Sequence, residues 1–93
     1  MPRYYFNLEM SGTAYPDPEG REVRDLQHAR DAAIADARDL IAADAKAGQL
    51  CLSCNIDIAD ERGRIVLIVP FHEAVQVTGI EDFAPRGPGW CLH

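Results

Sequence analysis

The stretch Asn55–Pro70, NIDIADERGRIVLIVP, reads as two strands joined by a turn. In its first half Ile56 and Ile58 fall on one face, the period-two alternation of a half-buried strand. Asp60–Gly63, DERG, is polar and carries its glycine late, where a left-handed residue closes a hairpin. The return, Arg64–Val69, is different in kind. Ile65 to Val69 are five consecutive apolar β-formers, halted by Pro70. A strand that is apolar on both faces needs both faces covered. The hairpin therefore demands one covering layer for each side: a helix can supply one, and a second subunit, a partner or the chain's own tail must supply the other.

The first layer lies upstream, in Asp25–Gly48, DLQHARDAAIADARDLIAADAKAG. Asp25 is a good N-cap, able to accept from the free amides of a first helical turn. Gly48 suits the position after the helix, where a left-handed residue ends it. Nine alanines and no glycine or proline lie between them. Leu26, Ala29, Ala33, Ala37, Leu40 and Ile41 form a narrow stripe at helical spacing. Arg30, Asp31, Arg38, Asp39 and Lys46 lie largely off it. A stripe made mostly of alanine lets the helix approach its sheet closely.

Further upstream, Arg3–Met10 alternates, with Tyr4, Phe6 and Leu8 on one face and Tyr5, Asn7 and Glu9 on the other. Ser11-Gly12-Thr13 is a turn signal. The following AYPDPEGREV holds Pro16 and Pro18, each lacking an amide donor, and reads as a loop or irregular edge. A short strand at Glu22–Arg24 is expected to pair back on the first. Downstream, FHEAVQV reads as one helical turn and then extended chain. The order is β-β-α-β-β: a two-layer α+β domain, a small, mainly antiparallel sheet covered on one face by one long helix. The domain is expected over residues 1–77. Residues 78–93, TGIEDFAPRGPGWCLH, form a Pro/Gly-rich tail in which Ile80, Phe83 and Trp90 are apolar enough to pack against a surface.

Ninety-three residues make one domain. The formal net charge of −6 argues against direct nucleic-acid binding, which draws on clustered Lys and Arg. It suits an acidic protein that docks on a basic surface. No apolar run reaches the ~20 residues of a membrane span. The opening MPRYYFNLEM lacks the apolar stretch of a secretory signal. With an odd number of cysteines, three, the expectation is a cytoplasmic protein with reduced thiols.

The cysteines are the one constellation with chemistry to offer. Cys51 and Cys54 are spaced C-x-x-C, and Cys91 stands two residues before His93. Buried or incidental thiols are the leading reading. A structural Cys₃His zinc site using Cys51, Cys54, Cys91 and His93 is the alternative cofactor reading, stapling the tail to the third strand. A redox pair comes third, because the C-x-x-C follows the C-terminal end of a helix, where the dipole disfavours a thiolate. His28 and His72 show no metal-ligand spacing. Asp17, Glu19 and Glu22 form an acidic loop without the calcium-loop order, and read as a solvated turn. No nucleophile elbow, phosphate loop or dinucleotide fingerprint is present, so no enzyme is expected. The remaining candidate is a surface: the second face of Ile65–Val69, with Val66, Ile68, Tyr5 and Trp90 as contact residues.

Several stretches together resemble a known family. They are the opening MPRYYF, the D-x-E-G at Asp17–Gly20, the D-L-x-x-A-R at Asp25–Arg30, and Asp60–Phe71, which opens D-x-x-G and closes P-F. The chain is similar here to small proteobacterial proteins, common in rhizobia and methylobacteria, that carry an uncharacterised domain of unknown function. The resemblance implies no activity. Cysteine is not usual in that pattern at positions 51 and 54, and the tail after Val77 falls outside it. By element order the chain also resembles HicB-like antitoxins, in which a β-hairpin runs into a helix with an acidic cap and an A-x-x-x-A pattern. The expected function is a small acidic, non-enzymatic protein-interaction module, pairing with a protein partner or with itself as a homodimer. The alternatives are an acidic, antitoxin-like inhibitor of a basic nucleic-acid enzyme and the zinc-stapled domain.

Overall fold

The computed structural model describes residues 1–78. Their order is β1 (Arg3–Met10), β2 (Thr13–Tyr15), β3 (Arg21–Glu22), α1 (Leu26–Lys46), β4 (Asn55–Ala59), β5 (Ile65–Pro70) and α2 (Phe71–Ala74). The five strands form one antiparallel sheet, β2-β1-β4-β5, with β3 also paired to β1. One long helix on an antiparallel sheet makes the chain α+β.

The register puts the alternating apolar residues on one face. Phe6 faces Ile58, Leu8 faces Ile56, Ile56 faces Val69 and Ile58 faces Leu67. Phe6, Ile56, Ile58 and Val69 are buried against α1. Burying each such side chain contributes about 1.5–3 kcal/mol. The helix meets them with Ala29, Ala33 and Ala37, all three fully buried. Leu26 and Leu40 were expected in this stripe, yet both are exposed. Three alanines one helical turn apart give the close contact, and Ile34 and Ile41 pack beside them, partly buried.

Both helix ends behave as the sequence implies. The Asp25 side chain accepts from the His28 N–H at 2.9 Å. At the far end Gly48 takes φ +86°, Gln49 donates to the Asp44 carbonyl at 2.8 Å, and Gly48 donates to Ala45 at 3.0 Å. This closing pair of bonds satisfies carbonyls the helix leaves open. The short α2 docks on α1 through Arg38, whose Nε donates to the Ala74 carbonyl at 2.6 Å. Phe71, its first residue, is buried and donates its N–H to the Cys54 carbonyl at 2.9 Å.

The N-terminal half of the sheet holds one more strand than the sequence suggested. Thr13–Tyr15, read as turn and loop, pairs with Leu8–Met10 as β2. All three residues are exposed, so no burial pattern marks the strand. The expected strand at Glu22–Arg24 lies earlier, at Arg21–Glu22, paired with Arg3 and Tyr4. The expectations placed on Ile80, Phe83, Trp90, Cys91 and His93 lie outside the described residues.

Candidate functional site

The face of the sheet turned away from α1 carries two features, an apolar margin and an acidic hollow. The margin is β5. Ile65 is 55% exposed, Val66 39% and Ile68 53%. A bulge brings Ile65 to the same side as Val66: Ile58 pairs with Leu67 but Ala59 with Ile65, which leaves Val66 as the extra residue. Towards the middle of the face the residues are polar. Asn55 donates from Nδ2 to Glu9 Oε1 at 3.2 Å. Asp57 lies between Asn7 on β1 and Ile68 on β5. Its Oδ1 is buried and accepts no hydrogen bond among the described residues. Burial, and then the Glu9 carboxylate, push the Asp57 carboxyl above its ordinary range.

The hollow, about 300 Å³, opens at the end of the same face. Tyr5, Asn7 and Ala59 come from the sheet, Asp17 from the loop after β2, and Asp60, Glu61 and Gly63 from the β4–β5 turn. Asp17 is not the solvated turn acid the sequence suggested. Its Oδ2 accepts from the Phe6 N–H at 3.2 Å, and its Oδ1 from Glu19 and Gly20 at 3.2 and 3.1 Å. Asn7 Oδ1 in turn accepts from the Asp17 N–H at 2.8 Å. The loop thereby folds back onto β1, which requires Gly20. At φ +71° a Cβ on Gly20 would stand 2.9 Å from the Tyr4 carbonyl oxygen. Burial alone would raise the Asp17 carboxyl, but the N–H groups of Phe6, Gly20 and Glu19, with the Arg21 charge, outweigh it and hold the group low. Asp60 is held low chiefly by the Arg64 N–H, with help from the Arg62 N–H and the Arg64 charge, against a smaller effect of burial. Both carboxylates are therefore ionised at neutral pH, and the hollow is negative.

The thiols lie elsewhere, where the segment after α1 enters β4. Cys54 is fully buried in the core and Cys51 is partly exposed. Their sulfurs stand 2.7 Å apart, and Cys51 also reaches Ser53 Oγ at 3.5 Å. Hydrogen bonding from Cys54 and then Ser53 lowers the Cys51 thiol. Burial, and then the contact with Cys51, push Cys54 up to about 11. Among the described residues no group of three or more His, Cys, Asp or Glu side chains is placed to hold a metal ion. Cys91 and His93, the other half of the expected zinc set, lie outside the described residues, as does Trp90.

Of the expected contact residues, Tyr5, Val66 and Ile68 share this one face. Asn7, Asp17 and Asp60 are the residues of the hollow that sequence reasoning missed as a group. The signal was present in part: Asp17 and Gly20 stand three apart, as an Asp-initiated turn requires. No helix of the described residues is long and apolar enough to cross a membrane. In comparison with known proteins, residues 3–72 match the family model described as Domain of unknown function (DUF6894). No curated protein and no solved structure matches.

Proposed function

The chain belongs to the family of the domain of unknown function DUF6894, and we propose that it is a small, acidic, non-enzymatic protein-interaction module that pairs with a second copy of itself through β5. One observation carries this reading: among the described residues β5 is the end strand of the sheet, with Ile65, Val66 and Ile68 exposed. Strand edges that stay single are normally blunted by charge, by proline within the strand or by a covering element. From Ile65 to Val69 β5 has no charged residue, and its proline comes only at the end. Two β5 edges meeting antiparallel about a two-fold axis would join two sheets into one, the self-complementary geometry of a closed dimer. The exposed isoleucines would then pack against their copies across the axis.

Sedimentation equilibrium tests the reading. The unaltered chain is expected at the dimer mass and the Ile68→Lys variant at the monomer mass, with unchanged far-UV circular dichroism. A chain that stays monomeric at every concentration would contradict it.

The acidic hollow favours a second reading, an inhibitor-like protein that accepts a basic side chain between Asp17, Asp60 and Glu61, over the Tyr5 ring. That reading expects a monomer that binds an arginine-rich peptide at low salt and releases it at high salt.

A further inference from the structure

We propose that Cys51 and Cys54 are a redox-active dithiol, which a low-molecular-weight disulfide such as oxidised glutathione closes into a Cys51–Cys54 disulfide. The two sulfurs already face one another at 2.7 Å. A disulfide needs 2.03–2.05 Å, so closure asks for a movement of about 0.7 Å. The freedom for it lies on one side only. Cys54 is fixed by the core around it and by the bond from the Phe71 N–H to its carbonyl. Cys51 belongs to the stretch between α1 and β4, which has no regular structure to break.

Exposure assigns the roles. Cys51 is partly exposed and Cys54 fully buried, so an external reagent meets Cys51 first. The Cys51 thiolate attacks one sulfur of the glutathione disulfide. A bond forms between Cys51 and that sulfur, the glutathione S–S bond breaks, and one glutathione leaves as its thiol. Cys54 then gives up its proton and attacks the Cys51 sulfur, displacing the second glutathione. Two protein thiols are oxidised and one glutathione disulfide is reduced to two thiols, so electrons and protons balance. The order agrees with the thiol acidities, since Cys51 is the easier to ionise and burial holds Cys54 at about 11. Capping Cys51 removes the neighbouring charge that is one cause of the high Cys54 value.

The test is a titration of the full chain with reduced and oxidised glutathione, followed by alkylation and peptide mass mapping. It is run on the natural chain and on a Cys91→Ser background. The expected product is a peptide spanning Cys51 and Cys54 that has lost two hydrogens. Its yield should follow the ratio of oxidised glutathione to the square of reduced glutathione. In Cys54→Ser the reaction should stop at a glutathione adduct on Cys51. In folded Cys51→Ser no adduct should form at Cys54. If Cys54→Ser does not fold, Cys54→Ala serves in its place. The proposal is overturned by thiols that stay free at every ratio or by a stable Cys51 adduct with Cys54 intact. It is equally overturned by pairing with Cys91 in the natural chain or by stoichiometric zinc that shields both thiols.

Discussion

Asp57 is the residue at which the sheet face turned away from α1 and its energetics meet. Its Oδ1 is buried without a partner among the described residues, and burial and Glu9 raise its pKa in the folded state. An acid raised on folding favours the folded chain while protonated. That contribution is full below the ordinary value of 3.8 and is lost as pH rises through the folded value. Asp57→Asn removes the charge that causes the loss. Urea unfolding at neutral pH should find the variant more stable by about 1 kcal/mol, with a flatter pH profile across the acid range. Asp17 has the opposite sign. Its folded pKa is depressed, so it stabilises the fold above 3.8 and the stabilisation disappears as pH falls through the folded value. Asp17→Ala leaves the Phe6, Glu19 and Gly20 amides without their acceptor. It should cost about 2 kcal/mol near neutral pH in the same urea measurement, and much less in strong acid. Neither role could be read from the sequence. Asp17 meets Phe6 across eleven residues of chain, and local spacing carries no information about such a contact.

The elements themselves were largely legible. β1, β4 and β5 announced themselves by alternation and by the DERG turn, and α1 by its two caps. They form where physical chemistry places them, because apolar period and capping act locally. β2 escaped notice because it buries nothing: Thr13–Tyr15 is a strand only through its register with Leu8–Met10. The helix stripe was read slightly off its true face for a related reason. Periodicity finds the apolar side of a helix, but which flanking residues reach the sheet depends on how the helix lies over it. Leu26 and Leu40 fall outside the contact, while Ile34 and Ile41 pack beside Ala29, Ala33 and Ala37, which are each fully buried. Ala33→Leu must therefore lift the helix from the sheet or force its side chain off rotamer. Thermal and urea unfolding should show a loss of about 1–3 kcal/mol. Leu40→Ala, at an exposed site on the same helix, should change stability little by comparison.

At the scale of the whole molecule, the domain formed by the described residues is lopsided. One face of the sheet carries the helix and the alanine contact, and the other carries polar residues, an acidic hollow and an apolar margin at β5. The sequence stated this imbalance through the five apolar residues Ile65–Val69, and the register assigns Val69 and Leu67 inwards and leaves Ile68 outside. The site was therefore legible as a demand for cover, and the identity of the cover is what the proposal of a second copy supplies. Its most direct test is hydrogen–deuterium exchange of the unaltered chain across a wide range of protein concentration, read at the β5 amides that point away from β4. Pairing of two β5 edges should slow exchange at those amides as concentration rises, while the solvent-facing amides of β2 stay fast. Exchange at the β5 edge that is fast and independent of concentration would contradict self-association through this strand.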